Sequence, residues 1–412
     1  MSPDGFMATR WLAILAHPPE ALFVITAMLV AGALAGEFIA RTTRLPRLVG
    51  YTAAGCVAAA VGLGAPQPLS GAARVLVDLA MALLLFEIGS RVHLRWLRRN
   101  PGLLATSLAE ALLGALAVAA ALLALDQSPA TAATCAILAM PASAAVAGRV
   151  ALELGAEGQV TQRMALLTAM NTLYAVLALS VLRLWWVTGQ EPHVLAALTV
   201  LAQSFFGSLL LAAVLAGAVA LAARRLDLRD ENAVLLLLGL VVLAVMAARW
   251  LQLSTLLVPL LAGLLLRNTT ERPWVWPRHF GTAGGVLVLM LFIIVGASWS
   301  PQVLVAGGIA ALALVAARGL GKAAAVLVLS RWSRCSLRQG LALSITLTPL
   351  SATALVMLSD LMQAAPQLAG TAAPIVLTSI ALLELVGPIA VQLALRFAGE
   401  VGDSPRRRRQ ES

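Results

Sequence analysis

Apolar runs about as long as a lipid bilayer is thick follow one another along this chain, and that alternation limits its fold more than any single motif does. Thirteen can be read, at roughly Ala21–Ala40, Pro46–Gly64, Ala73–Ser90, Gly102–Leu125, Ala130–Leu152, Arg163–Leu182, Val194–Ala223, Asn232–Trp250, Leu253–Arg267, Gly281–Trp299, Gln302–Ser330, Arg338–Asp360 and Leu368–Phe397. A helix needs about 20 apolar residues to cross a ~30 Å hydrocarbon core. The expectation is an all-α polytopic membrane protein with about 13 transmembrane helices. A soluble fold would need charged surface between these runs. Here 60% of residues are hydrophobic and 12% charged, with a mean hydropathy of +0.92, against about 45–50% apolar usage in soluble domains.

The charge pattern sets topology. A net charge of +10 invites a nucleic-acid reading, but the basic residues sit in short loops without interleaved aromatics, so no nucleic-acid partner is expected. One set of alternate loops, with the C-terminal tail, holds Arg41, Arg44, Arg47, Arg91, Arg95, Arg98, Arg99, Arg149, Arg163 and most of the later arginines. The other set and the N-terminus hold only Arg10, Arg74, Arg183 and Arg249. Cytoplasmic loops carry the excess of basic residues, so the N-terminus is expected outside and the C-terminus inside. The tail Arg406–Arg409 then faces the cytoplasmic leaflet, as a solvated stop signal or a lipid contact. No removable signal peptide is read at the N-terminus.

Candidate site residues emerge from two breaks. Ala139-Met140-Pro141-Ala142-Ser143-Ala144 interrupts the fifth run, and Thr348-Pro349-Leu350-Ser351-Ala352 the twelfth. Proline removes a helical hydrogen bond, which lipid-facing backbone cannot tolerate, so both breaks should face protein or water. Interrupted segments at matching places in two halves point to a transporter's substrate site, which selects Pro141, Ser143, Pro349 and Ser351. The fifth and twelfth runs cross in opposite directions, giving an inverted repeat. Superposing the two prolines sets Arg318 opposite Glu110 and Lys322 opposite Gly114.

Ionisable groups inside the runs are few and expensive. Lys322 is the one lysine in the chain. Glu110 lies about eight residues into the fourth run, ~12 Å deep at 1.5 Å per residue. It reads equally as a proton carrier and as a structural partner of Arg318 or Lys322. Arg318 stays charged and serves as a fixed cation. Glu87 precedes Arg91 by four residues and should pair with it. Asp78, nearer the outer end of the third run, is expected to reach water. Gly32 and Gly36 form a small-residue face, read as tight packing or a dimer seam. With no histidine inside a run and no cysteine in metal-ligand spacing, neither a metal, a cofactor nor an enzyme is expected.

Laid out in order, Leu45-Pro46-Arg47-Leu48-Val49-Gly50-Tyr51, Leu84-Leu85-Phe86-Glu87-Ile88-Gly89, Glu153-Leu154-Gly155, Phe292-Ile293-Ile294-Val295-Gly296, Arg318-Gly319-Leu320-Gly321-Lys322 and Glu384-Leu385-Val386-Gly387-Pro388 resemble the monovalent cation:proton antiporter superfamily, in its bacterial sodium/proton and potassium-efflux branch. The resemblance implies a homodimer in the bacterial inner membrane, with a sodium/proton antiporter-like fold in which two broken helices cross at mid-membrane. It implies a scaffold at about 21–90 and 232–299, a mobile core at about 102–182 and 302–397 and a linking span at about 194–223. Residues 1–20 would form a periplasmic segment and 398–412 a basic cytoplasmic tail. Glu384 matches a feature of the family, and Lys322 matches a lysine that pairs with the first residue of a sixth-span dyad.

That dyad is where the chain departs from the family. Members usually carry an aspartate there, and its carboxylate exchanges a proton for the cation; here the pair reads Asn171-Thr172. A threonine hydroxyl can ligate a cation but cannot release a proton near neutral pH. The expected function is exchange of sodium or potassium for protons by an elevator-like movement, with the proton moved to Glu110 or Lys322. The alternative keeps the fold without cation/proton exchange, for another solute or a regulatory role.

Overall fold

The backbone leaves the helix at Met140–Ser143 and at Thr348–Leu350, and each break splits one apolar run into two half-helices. The computed structural model describes residues 21–65, 67–188, 194–225, 231–269, 280–350 and 352–401. Sixteen helices lie among the described residues: α1 (Ala21–Thr43), α2 (Arg47–Ala60), α3 (Gly71–Arg91), α4 (Leu94–Arg99), α5 (Pro101–Leu123), α6 (Pro129–Leu138), α7 (Ala144–Leu154), α8 (Gln159–Val187), α9 (Val194–Arg225), α10 (Glu231–Trp250), α11 (Leu257–Thr269), α12 (Phe280–Gly296), α13 (Pro301–Leu329), α14 (Leu337–Thr346), α15 (Ala352–Ala364) and α16 (Pro366–Ala398). The thirteen expected runs are all present, the fifth as α6 and α7 and the twelfth as α14 and α15. The short α4 between the third and fourth runs was not anticipated. Six of the helices are long and apolar enough to span a bilayer, and five more are shorter apolar helices. The protein is a multi-pass membrane protein.

Local signals explain the helix starts. Ser128, Ser143, Ser300 and Ser336 cap α6, α7, α13 and α14 through their side chains, each satisfying an amide that the first turn leaves unpaired. Proline stands at the start of α5, α6, α13 and α16, where its missing N–H costs nothing. Gly155 ends α7 in the left-handed conformation (φ 56°), which a residue without Cβ adopts freely.

Packing follows the inverted repeat. The repeat pairs α2 with α11 and α3 with α12, so a contact between α2 and α12 should recur between α11 and α3. Both contacts are extensive, and glycine makes both. A Cβ on Gly55 of α2 would strike the Ile293 carbonyl of α12, and one on Gly296 the Thr52 carbonyl. In the other pair, a Cβ on Gly89 of α3 would strike the Leu260 carbonyl of α11, and one on Gly263 the Phe86 carbonyl. Lipid supplies little hydrophobic drive between helices, so such backbone-to-backbone approach does the work of association. The Gly32–Gly36 face of α1 is likewise spent inside the chain, against Ile293 and Tyr51.

The self-related helices α5 and α13 pack along each other most closely of all. Gly321 lies 3.0 Å, measured from an ideal Cβ, from the Gly114 Cα, and Lys322 Cγ is 3.0 Å from one built on Gly114. The register that the two prolines implied thus holds in space. One expectation fails. Asp78 does not reach water: it is 2% exposed and pairs with Arg74 at 3.0 Å and with Arg249. A carboxylate one turn from Arg74 on the same helix face is better served by that guanidinium than by solvent.

Candidate functional site

The breaks meet where α6 ends at Leu138 and α14 at Thr346, leaving a string of carbonyl oxygens without helical partners. The Ser143 amide donates to the Pro349 carbonyl at 3.0 Å, tying one break to the other. Arg318, fully buried on α13, fills the space between them. Its Nε donates to the Ala139 carbonyl at 2.7 Å and its Nη2 to the Pro141 and Pro349 carbonyls at 2.8 and 3.3 Å. Its Nη1 donates to the Thr348 carbonyl. A resident guanidinium therefore occupies the carbonyls at the crossing, and its fork geometry suits several acceptors from two chain segments. Gly387 of α16 packs against the other side of the second break, 2.9 Å from the Pro349 ring if given a Cβ. Glu384, one turn earlier on α16, is buried.

One turn along α13, Lys322 enters the same core. Its ammonium donates to Glu110 Oε2 at 2.6 Å and to the Met140 carbonyl at 2.9 Å, and neither side chain of the pair is exposed. Glu110 Oε1 accepts from Asn171 Nδ2 at 2.5 Å. The carboxylate is thus held between a cation from one repeat and an amide from α8. A buried ion pair survives only when hydrogen bonds satisfy its remaining atoms, and these contacts supply that. Thr172, beside Asn171, donates to the Thr168 carbonyl one turn back at 3.0 Å.

Among the buried oxygens without a partner in the described residues are Asn171 Oδ1 and Thr168 Oγ1 on α8 and Thr353 Oγ1 on α15. All belong to buried residues. Thr168 and Asn171 are three apart on α8 and share a face. Thr353 stands at the start of α15, which packs against α8. Unpaired buried oxygens are costly, and a hard cation is a natural partner for them. The sequence reading missed Thr168 and Thr353, although the helical spacing of Thr168 from Asn171 and Thr172 is a legible signal. Ser351, the fourth residue chosen from the breaks, lies outside the described residues.

A cavity of about 310 Å³ lies between α3 and the pair α7 and α8. Glu87, Ala144, Gly148 and Thr161 are among its walls. Ala144 is the first residue after Ser143, so this cavity leads to the first break. Glu87 is paired with Arg91 at 2.6 Å, as its spacing implied.

Residues 24–396 match the model of the family described as "Sodium/hydrogen exchanger, transmembrane". The chain belongs to the sodium/hydrogen exchanger family. Two solved structures of the sodium proton antiporter MjNhaP1 from Methanocaldococcus jannaschii have the same fold. One, at pH 8, superposes with a TM-score of 0.61 at 14% identity, covering 93% of this chain and 99% of that one. The other, from an electron-microscopy map, gives 0.65 at 15% identity, covering 92% and 96%. Comparison with curated protein sequences gives no match. At such identities the solved structures speak for the architecture alone. In this member a buried Glu110–Lys322 pair lies beside Asn171 and Thr172, neither of which carries a carboxylate.

Proposed function

We propose that this exchanger-family protein swaps a monovalent cation, sodium or potassium, for protons, and that the Glu110–Lys322 pair carries the proton. The observation behind this reading is that pair itself: fully buried, 2.6 Å apart, and linked through Asn171 to unpaired oxygens. A cation seated on Asn171 Oδ1 and Thr168 Oγ1 stands one amide away from the Glu110 carboxylate. Its positive charge opposes the Lys322 ammonium and favours loss of that ammonium's proton, leaving a neutral amine beside the Glu110 carboxylate. The pair then releases one proton as the cation enters, and the buried charge is unchanged. Exchange is therefore one for one and electrically silent. Arg318 keeps its charge throughout and holds the two breaks together.

In this reading α5–α8 and α13–α16 form a mobile core that slides, elevator-like, against α1–α3 and α10–α12, with α9 as the link. The protein works as a homodimer in the bacterial inner membrane, N-terminus outside and C-terminus in the cytoplasm. No enzymatic step is involved. The test is proton flux in proteoliposomes holding an imposed pH gradient, with sodium, potassium or lithium added in turn. Collapse of the gradient by one of these cations, abolished in Glu110→Gln and Lys322→Gln, supports the proposal; wild type that leaves the gradient standing with all three overturns it.

One observation favours a second reading, in which the fold has lost cation/proton exchange. The Thr172 hydroxyl is committed to the Thr168 carbonyl, leaving no titratable group at the position where relatives usually carry a carboxylate. On that reading Thr172→Asp creates exchange in an inactive protein.

A further inference from the structure

We propose that Ser359, Asp360 and Gln363 on α15, clamped onto the segment Leu69–Arg74, form the latch that closes the outer route to the crossing. The proposal rests on the alternating-access reading above. Four hydrogen bonds join the two segments. The Leu69 amide and Arg74 Nη1 both donate to Ser359 Oγ, at 3.0 and 3.2 Å. Arg74 Nη2 donates to Asp360 Oδ1 at 2.6 Å. Gln363 Nε2 donates to the Leu69 carbonyl at 3.3 Å. Behind Arg74, Asp78 holds the guanidinium in place and is itself bound by Arg249 of α10. One side of the latch is therefore a rigid cluster on α3 and α10, and the other is a single half-helix.

That half-helix starts at the crossing. Asp360 lies eight residues beyond Ala352, ~12 Å along α15, so any movement of the second break relative to α3 must part these bonds. Two cavities agree with a closed outer side. The outer one, of about 690 Å³, is walled by Ser70, Arg74, Arg249, Thr255 and Asp360 and stops at the latch. The inner one reaches Ala144, beside the first break. Arg74 is 5% exposed, and a buried charge without its partner is strongly unfavourable. Arg74 is thus not a free topology charge. The bonds form only in the outer-closed state, so they bias the protein towards it.

The test uses the full-length protein in sealed vesicles, with Cys56, Cys135 and Cys335 replaced and one reporter cysteine at a time. Thr353→Cys reports access from the arginine-poor outer side and Gly148→Cys access from the inner cavity. An impermeant maleimide is added from each side separately. Asp360→Asn should raise outer labelling of Thr353→Cys at least about tenfold while lowering inner labelling of Gly148→Cys. Asp360→Glu, which keeps the carboxylate, should label like wild type at both positions. Unchanged outer labelling in Asp360→Asn overturns the latch. So does a rise at both reporters, which marks general loosening. Labelling requires no ion exchange, so a failed flux assay leaves this readout standing.

Discussion

Removing one member of the buried pair should cost far more than removing both. In Glu110→Gln, the Lys322 ammonium keeps the Met140 carbonyl but loses a carboxylate at 2.6 Å in a fully buried position. Breaking a buried pair in this way costs about 3–5 kcal/mol. Every 1.4 kcal/mol is a factor of about ten in an equilibrium constant, so the folded-to-unfolded ratio falls by roughly two to three and a half orders of magnitude. The double variant Glu110→Gln/Lys322→Met removes the stranded charge and fills its volume, and such replacements are neutral or stabilising by about 1–4 kcal/mol. Unfolding in mixed micelles should therefore order the three proteins with the single variant lowest and the double variant at or above wild type. Both variants should be inactive in cation-driven proton flux. A double variant as unstable as Glu110→Gln would refute the reasoning, because the loss would then come from packing rather than from an unpaired charge.

Other consequences follow from separate parts of the fold. Gly263→Val places side-chain atoms on the Phe86 carbonyl and should destabilise by about 1–3 kcal/mol or more through overpacking; Gly239→Val, where a Cβ meets nothing within 4 Å, should be near neutral in the same unfolding assay. Glu400 caps α8 by accepting from the Val160 amide at 2.6 Å and the Thr161 amide and hydroxyl at 2.8 Å. Glu400→Ala should cost about 0.5–2 kcal/mol, read as faster hydrogen exchange in the first turn of α8. His93 accepts from Arg267 Nε at 2.9 Å, and partial burial together with the Arg267 charge lowers its pKa from the ordinary 6.5. The folded protein binds the His93 proton less readily than the unfolded chain, so the stability from this contact is complete above pH 6.5 and is lost as the pH falls through the folded value. Protection factors around Val92–Trp96, corrected for the intrinsic exchange rate at each pH, should therefore fall on acidification in wild type and not in His93→Gln.

Much of the fold could be read from the chain because the bilayer restricts what apolar runs can do. Pro141 and Pro349 were the most informative residues: their separation supplied the register that brings Glu110, Gly114, Arg318 and Lys322 together on α5 and α13. The sequence left open whether Glu110 is partnered, since a carboxylate opposite an arginine in the repeat turns out to bind the lysine one turn further on. Asp78 was misplaced because its second partner, Arg249, is 171 residues away and no periodicity links them. The same holds for Ser359 and Asp360, whose partners Leu69 and Arg74 lie in the other half of the chain. Glu400 was read with the basic tail, because a cap formed by a distant carboxylate leaves no mark near α8 itself. The Glu87–Arg91 spacing carried through intact, because the partner is within one helical turn, whereas Ser143, chosen from the break, turned out to cap α7.

The most direct measurement is proton release on cation binding. Purified protein in weakly buffered detergent solution, with a pH-sensitive dye, receives sodium or potassium chloride, and choline chloride as control. Competition at the Glu110–Lys322 pair predicts release approaching one proton per chain with one of the two cations, and none from Glu110→Gln. Wild type that binds the cation without releasing a proton, or Glu110→Gln that releases as many as wild type, would contradict it.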